Sequence, residues 1–301
     1  MALGETGTGT GSEEKKENVS FSFSFSFFFL FLLSFSFFLL SLSFDGRFGT
    51  FGAGTLDPEE LREEILKTKK LTSRPFGVDV VAPFIEDFHT YVEQYVDVCI
   101  ETGVKAFITG IGFSPSVIEK CHKAGMVVGV VCGKMGHVTK AVEAGADLVI
   151  VQGTEGGGHT GTLGLMAFLP QAVDAVGHKV PVVAAGGIFD GRGVAAALAL
   201  GADGVWIGTR FLATVESNTV RGFKEKIVQA GIDNGTTISK AYTGKTCRVL
   251  ANDYTREWEK SGRPALDFLN QGIHAIEAGA HHLGGNLETE GVDPNREFMP
   301  W

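Results

Sequence analysis

The stretch that decides the fold is PVVAAGGIFDGRGVAAALALGADGVWIGTRF, residues 181–211. It reads as a short apolar strand, a Gly-Gly turn, an alanine-rich helix, a second apolar strand and a Gly-Thr turn. Gly186 and Gly187 let backbone N–H groups approach a ligand closely, because neither residue carries a Cβ. Gly208 and Thr209 form a similar turn after the second strand. Turns of this kind after two consecutive final strands predict a phosphate site at the mouth of a (β/α)8 barrel.

The unit before this stretch supplies a candidate for chemistry. The predicted strand 147–152 (DLVIVQ) runs into the loop GTEGGGHTG, and Gln152 stands at the carboxyl end where barrel active sites lie. The Gln152 amide both donates and accepts hydrogen bonds, which suits the edge of a flavin or nucleotide ring. His159 follows three consecutive glycines and titrates near neutrality in its unperturbed state, so we expect an active-site role for it. Glu155 is expected to be structural or exposed.

Outward from these units, short apolar runs alternate with amphipathic runs, as expected for a parallel sheet covered by helices. The sequence predicts seven strands with six helices between them, which a doubly wound open sheet would also allow. A barrel needs one more strand, and this strand would lie upstream of Phe48. The predicted strands are 48–53, 76–81, 105–109, 126–131, 147–152, 181–185 and 203–208, and the predicted helices are 58–70, 88–102, 115–124, 134–144, 164–177 and 190–200.

The N-terminal part differs from the rest in composition. Residues 1–20 are polar and are expected to be disordered, whereas residues 21–44 contain only Phe, Leu and Ser. Three interpretations of residues 21–44 stay open: a membrane-anchoring helix, an anomalous N-terminus with no selected role, and a strand-like segment, since FSFSFSF alternates with a period of two. We expect a cytoplasmic protein, with possible membrane association through residues 21–44.

Composition excludes several classes of function. The net charge of −9 argues against nucleic-acid binding, which needs a basic surface. The cysteines form no CxxC pair, and we expect buried, reduced thiols and no metal site; His281 and His282 have no nearby carboxylate or thiolate. Residues 216–301 are predicted to be a mostly helical C-terminal part. Its Tyr242, Lys245 and Arg248 are expected to serve packing or the surface. The cysteines are Cys99, Cys121, Cys132 and Cys247.

The segments QGTEGGGHTG, AAGGIFDGRG and ALGADGVWIGTRF resemble the nitronate monooxygenase (2-nitropropane dioxygenase) family, and in particular its fungal-type members. The resemblance runs from about Gly46 to about Ser217, and residues 46–215 would form the barrel. It implies FMN, held non-covalently at the carboxyl mouth. Carried over by position, the residues that would contact FMN are Gln152, Gly157, Gly186, Gly187, Trp206, Ile207, Gly208 and Thr209, with His159 as the catalytic histidine beside the flavin.

The chain departs from the family pattern at two places. Family members carry PFGVN, with the Asn against the flavin, and this chain has PFGVD, which places Asp79 at that cofactor-binding position. A carboxylate there disfavours an anionic reduced flavin unless it is protonated or paired. Family members also begin with a strand and helix joined by a Pro-Met turn, and no such turn precedes Phe48. The sequence therefore predicts a barrel without the usual first β/α unit.

The resemblance implies oxidation of an alkyl nitronate or nitroalkane by O2 to a carbonyl compound and nitrite. Two alternatives stay open. One is an FMN-dependent enoyl-thioester reductase that uses NAD(P)H, since the flavin-dependent enoyl-acyl-carrier-protein reductases share this scaffold. The other is a truncated or inactive barrel tethered to a membrane. The sequence fixes neither the physiological substrate nor the oligomeric state.

Overall fold

The computed structural model describes residues 28–33, 47–53, 56–81, 88–110, 112–217, 219 and 221–280. Eight parallel strands close into a barrel, and each strand is hydrogen-bonded to two neighbours. The barrel strands from Arg47 onward agree with the predicted ones to within one residue at either end. The barrel strands are β1 (Phe28–Leu33), β2 (Arg47–Gly52), β3 (Phe76–Val81), β4 (Ala106–Gly110), β5 (Val127–Cys132), β6 (Leu148–Gln152), β8 (Val182–Ala185) and β9 (Gly204–Ile207), with a short β7 (Gly158–His159) outside the barrel.

The eighth strand comes from the Phe/Leu/Ser run. β1 pairs with β2 through Leu30↔Phe48 and with β9 through Leu30↔Trp206, so it closes the gap between the first and last predicted strands. This is the strand-like interpretation of the run, and it fills the strand position that the sequence analysis left vacant. Residues 34–46, where the helix of that first unit would lie, are outside the described residues, as are 1–27.

Helices cover the outside of the barrel, as predicted. Asp57 caps the start of α1 by accepting hydrogen bonds from the N–H groups of Glu59 (2.9 Å) and Glu60 (2.8 Å). In return, the Glu60 carboxylate accepts a hydrogen bond from the Asp57 N–H. The covering helices are α1 (Pro58–Leu71), α2 (Phe88–Thr102), α3 (Pro115–Lys123), α4 (Met135–Glu143), α5 (Leu165–Val176) and α6 (Gly191–Ala199).

The tripeptide Gly-Ala-Asp occurs at 145–147 and again at 201–203, and it has a structural role at the amino end of the barrel. The Asp147 carboxylate accepts a hydrogen bond from the Val128 N–H at 2.7 Å, while the Asp147 N–H donates to the Val128 carbonyl. Asp203 makes the same reciprocal pair with Val182, at 2.8 Å. Each aspartate therefore fixes the register between two adjacent parallel strands, because a one-residue slip would break both bonds.

The two faces of the barrel strands have different partners. Val78 and Val80 of β3 pack against Leu61 and Ile65 of α1, on the outside. The interior is filled by a separate apolar cluster that contains Ile108, Ile150, Val183 and Trp206. Since side chains alternate along a strand, Asp79 faces the interior of the barrel, near the carboxyl end of β3.

The C-terminal part contains a β-hairpin in addition to the predicted helices. β10 and β11 form a hairpin, and β11 also pairs with β7, so a three-stranded antiparallel sheet lies beside the barrel. The sequence analysis missed the hairpin because its strands are short and their polar and apolar residues do not alternate strictly. The elements are α7 (Thr209–Leu212), α8 (Arg221–Gln229), β10 (Thr236–Ser239), β11 (Cys247–Leu250), α9 (Asp253–Ser261) and α10 (Phe268–Glu277).

The thiols agree with the sequence analysis. All four cysteines are free and buried. Within the described ranges, no group of His, Cys, Asp and Glu side chains is placed to hold a metal ion. None of the helices in those ranges combines the length and the apolar character needed to cross a bilayer. His281 and His282 lie outside the described residues.

Candidate active site

Three loops meet at the carboxyl end of the barrel: those after β6, β8 and β9. A Cβ on Gly157 would lie 3.1 Å from Thr209 Oγ1, and a Cβ on Gly186 would lie 2.9 Å from the backbone nitrogen of Gly156. A Cβ on Gly187 would lie 3.1 Å from Glu155 Cβ. The structure therefore brings together the glycines of two motifs that are about 30 residues apart in sequence.

The Gly-Gly turn has a backbone that suits an anion. Gly186 and Gly187 have φ values of +99° and +69°, which residues with a Cβ rarely adopt. No described residue accepts a hydrogen bond from the backbone N–H of Gly187 or of Thr209. Unsatisfied N–H groups beside a turn with no Cβ are what a phosphate group needs. By contrast, Asp190 caps α6 itself by accepting from the Arg192 N–H at 3.0 Å.

Gln152 lies at the end of β6 and contacts the glycine loop. Its Nε2 donates to the Gly157 carbonyl at 3.3 Å, and a Cβ on Gly156 would lie 2.6 Å from the same nitrogen. Gly156 is therefore needed for the Gln152 side chain to lie flat against the loop. The Gln152 side chain is half-buried at the carboxyl end of β6.

Glu155 is structural, in agreement with the sequence analysis. Both of its carboxylate oxygens accept from the N–H of Leu165, at 3.1 and 3.0 Å, at the first residue of α5. The residue at the N-cap position, Gly164, has no side chain with which to cap. Glu155 replaces it, and in doing so it ties the glycine loop to α5.

His159 is held by the C-terminal part of the chain. Its Nε2 lies 2.9 Å from Thr243 Oγ1, its ring lies 5.7 Å from the ring of Phe268 at a tilt of 32°, and its backbone pairs with Cys247 of β11. Burial, together with a smaller contribution from the positive charge of Lys245, lowers the pKa of His159 to about 4. The imidazole is therefore neutral near pH 7.

Asp79 is a titratable residue that faces the barrel interior. The residue is 5% exposed, and its Oδ1 is buried with no hydrogen-bond partner. Burial raises the pKa of Asp79 to about 7. An orphaned carboxyl oxygen in a barrel interior is unusual, because buried polar atoms are nearly always paired.

Trp206 and Ile207 lie at the end of β9 and face opposite ways. Trp206 belongs to the interior cluster, whereas Ile207 packs outward among helix residues. The turn itself begins at Gly208 and leads directly into the short helix α7. The Ile207 side chain therefore faces away from the mouth, and only its backbone can belong to the cofactor turn.

The sequence analysis missed the residues that cover His159. Thr243 and Phe268 contact its ring, and Arg248 joins the hairpin to the loop by donating from Nε to the Thr154 carbonyl at 3.0 Å. Tyr242 is buried and accepts from Asn252 Nδ2 at 2.7 Å, as its expected packing role requires. Thr243 and Phe268 are 84 and 109 positions away from His159, and no local pattern links them to it.

Comparison with known proteins gives a family. The family model for nitronate monooxygenase matches residues 38–292. A probable nitronate monooxygenase from Staphylococcus aureus is 30% identical, over 81% of this chain and 80% of that protein. A solved structure described as a nitroalkane oxidase from Streptomyces ansochromogenes is 29% identical with a TM-score of 0.69, and the match covers 77% of this chain and 79% of that chain.

A relative with a higher sequence identity carries the name of a different activity. A (3aS,4S,5R,7aS)-5-hydroxy-7a-methyl-1-oxo-octahydro-1H-indene-4-carboxyl-CoA dehydrogenase from Rhodococcus jostii is 42% identical, over 72% of this chain. The match spans only 59% of that relative's length. The family-model match, which covers most of the barrel and the sheet beside it, shows that the chain belongs to the nitronate monooxygenase family of flavin-dependent oxidoreductases.

Proposed function

We propose that this protein binds FMN and oxidises alkyl nitronates with O2, giving a carbonyl compound and nitrite. The proposal is supported by the approach of the three glycine loops to one another at the barrel mouth, with His159 two residues after Gly157 on the first of them. The relative from Staphylococcus aureus, which matches over four fifths of both chains, is a probable nitronate monooxygenase and supports this choice of substrate.

In this proposal, backbone groups hold the phosphate of FMN. Gly186, Gly187, Gly208 and Thr209 would supply N–H groups, and Gln152 and Gly157 would meet the ring system. The flavin, when bound, accepts electrons from the substrate and passes them to O2. The protein's part is to orient the substrate, exclude water and place polar groups.

His159 would recognise the substrate as a neutral imidazole. A pKa of about 4 makes the ring a weak base, so it is poorly suited to take a proton from a neutral nitroalkane. A neutral ring donates one hydrogen bond, and an anionic nitronate accepts one. We therefore expect nitronates to be preferred to nitroalkanes. A bound anion would itself raise the pKa of His159 and strengthen that bond.

The first experiment measures flavin content and nitrite release. The purified protein should show flavin absorbance, and it should release nitrite from propyl-2-nitronate under air. His159→Ala should lower turnover by about 10²-fold or more, with FMN retained, because it removes the hydrogen-bond donor that faces the anionic substrate. His178→Ala, an exposed histidine, is the control and should leave turnover unchanged. A protein without flavin, or full turnover in His159→Ala, would contradict the proposal.

A second candidate function is oxidoreduction of a coenzyme A thioester. It is favoured by the 42% identity to the carboxyl-CoA dehydrogenase over 72% of this chain. The two candidates differ in their products. Stoichiometric NAD(P)H oxidation with an enoyl thioester, and no nitrite from any nitronate, would select the thioester. Bound flavin with neither reaction would favour an inactive barrel.

A further inference from the structure

The interior of the barrel holds a carboxyl group that the proposed chemistry does not use. Among the described side chains, two buried polar atoms have no hydrogen-bond partner: Asp79 Oδ1 and His274 Nδ1. His274 lies on α10, outside the barrel, with its ring 6.1 Å from that of Trp258. Asp79 lies on β3, inside the barrel, at the end where the cradle forms.

Among the residues that the structure describes, no charged group acts on Asp79 to keep it ionised. The outer face of β3 packs on α1 and α2 through Val78 and Val80, so the helices lie on the far side from the carboxyl group. The adjacent strands pair Gly52 and Ile108 with Asp79. None of the described residues that face the interior from these two strands is titratable: Phe48, Thr50, Gly52, Ala106, Ile108 and Gly110.

On the farther side of the interior, the described residues of the same cluster are apolar. Strands β6, β8 and β9 contribute four residues to this interior cluster: Ile150, Val183, Ala185 and Trp206. A carboxylate among these side chains would have lost its hydration and gained no partner, which favours the protonated form. Burial accordingly raises the pKa of Asp79 to about 7, whereas the usual value is 3.8.

We propose that Asp79 meets the flavin as a neutral carboxylic acid, which donates a hydrogen bond to an acceptor on the flavin ring, so that FMN affinity falls as the pH rises through neutrality. The inference rests on the proposed FMN function. A protonated carboxyl group has one O–H donor, and ionisation removes it. Ionisation would also place a negative charge beside a ring that becomes electron-rich on reduction.

An ionised Asp79 would give FMN affinity the opposite dependence on pH. If Asp79 were ionised and accepted a hydrogen bond from the ring N–H of the flavin, FMN would bind more tightly as the pH rose. The pH dependence of FMN affinity therefore distinguishes the two arrangements without reference to turnover.

The test compares FMN affinity of the full-length protein and its Asp79→Asn variant between pH 6 and pH 8. The apo forms are titrated with FMN, and the dissociation constant is obtained from the quenching of flavin fluorescence. The variant is a matched control, because an amide keeps the shape and one donor but does not titrate. The phosphate of FMN also titrates in this range, and it does so equally in both proteins.

With a pKa near 7, the ratio of the wild-type to the variant dissociation constant should rise roughly tenfold from pH 6 to pH 8. A ratio that stays flat or falls, with FMN bound to both proteins, overturns the role of Asp79 and leaves the proposed function standing. Failure of both folded proteins to bind FMN at any pH overturns the proposed function, and the inference with it. Circular dichroism establishes that both are folded.

Thermal unfolding of the two apo proteins is a second measurement. The pKa of Asp79 is higher in the folded than in the unfolded chain, so its ionisation disfavours folding above about pH 4, and fully above about pH 7. Asp79→Asn should therefore unfold at a higher temperature than the wild type at pH 8, and this difference should shrink towards pH 4. A difference that does not change with pH would overturn the assignment of a buried titrating group.

Discussion

The Gly186→Ala substitution tests the cradle most directly. At φ of +99°, any residue with a Cβ is strained, and such a conformation costs about 1–3 kcal/mol. The added Cβ would also lie 2.9 Å from the Gly156 nitrogen and 3.0 Å from the Gly153 carbonyl oxygen. Both are backbone atoms that cannot rotate away. The turn must shift, and its N–H groups must leave the position that a phosphate would occupy.

The expected magnitudes follow from these contacts. A loss of about 2 kcal/mol in the free energy of unfolding lowers the Tm of a domain of this size by roughly 4–8 °C. Misplacing one N–H group that faces a charged phosphate removes about 1.5–3 kcal/mol of binding, which is roughly a 10- to 150-fold weaker FMN affinity. Flavin fluorescence titration and differential scanning calorimetry measure the two effects separately.

Gly191→Ala is the matched control. It lies five residues further along, at the start of α6, and an added Cβ would meet no atom within 4 Å. Its FMN affinity and Tm should stay at or slightly above the wild-type values, since alanine favours a helix. If Gly186→Ala bound FMN with wild-type affinity, the cradle would not lie where we place it. An equal loss in Gly191→Ala would refute the argument from backbone contact.

Two further substitutions test the residues that support the site. Glu155→Ala removes both hydrogen bonds to the Leu165 N–H, so it should lower the free energy of unfolding by about 1 kcal/mol and weaken FMN binding. Glu155→Gln keeps an acceptor and should lose less stability. Equal Tm values for the two variants would contradict the capping role. Thr243→Val removes the hydroxyl that bonds His159 Nε2 and should lower kcat about 10-fold with FMN content unchanged, and Thr243→Ser should restore it. Wild-type kcat in Thr243→Val would show that the hydroxyl does not position the ring.

Much of the barrel could be read from local patterns. The covering helices and the barrel strands from Arg47 onward follow from alternating apolar and amphipathic runs, because burial on both faces of a parallel sheet leaves a strong local signal. The Gly-Gly turn could also be predicted locally, because a backbone with positive φ favours glycine at those positions. The role of Glu155 was predicted only as the absence of chemistry, and its partner Leu165 became evident from the fold.

The first strand shows where local patterns are insufficient. A run of Phe, Leu and Ser is compatible with a membrane helix, a segment without a role and a strand. The hydrogen bonds of Phe28–Leu33 to both β2 and β9 select the strand for those six residues, because a barrel with seven strands would leave two edges unpaired. This choice depends on residues some 175 positions away, which no window of sequence contains.

The sequence by itself determined the family, the barrel units after Phe48, and the glycine loops with His159 among them, because each of these depends on residue types that are close together in the chain. Only the tertiary structure decided what surrounds the two titratable groups of the site. Thr243 and Phe268 reach His159 through the pairing of β7 with β11. Asp79 Oδ1 lies without a hydrogen-bond partner in an interior formed by strands from across the barrel. Burial and hydrogen-bond partners set a pKa, and both are properties of residues that meet only when the chain has folded.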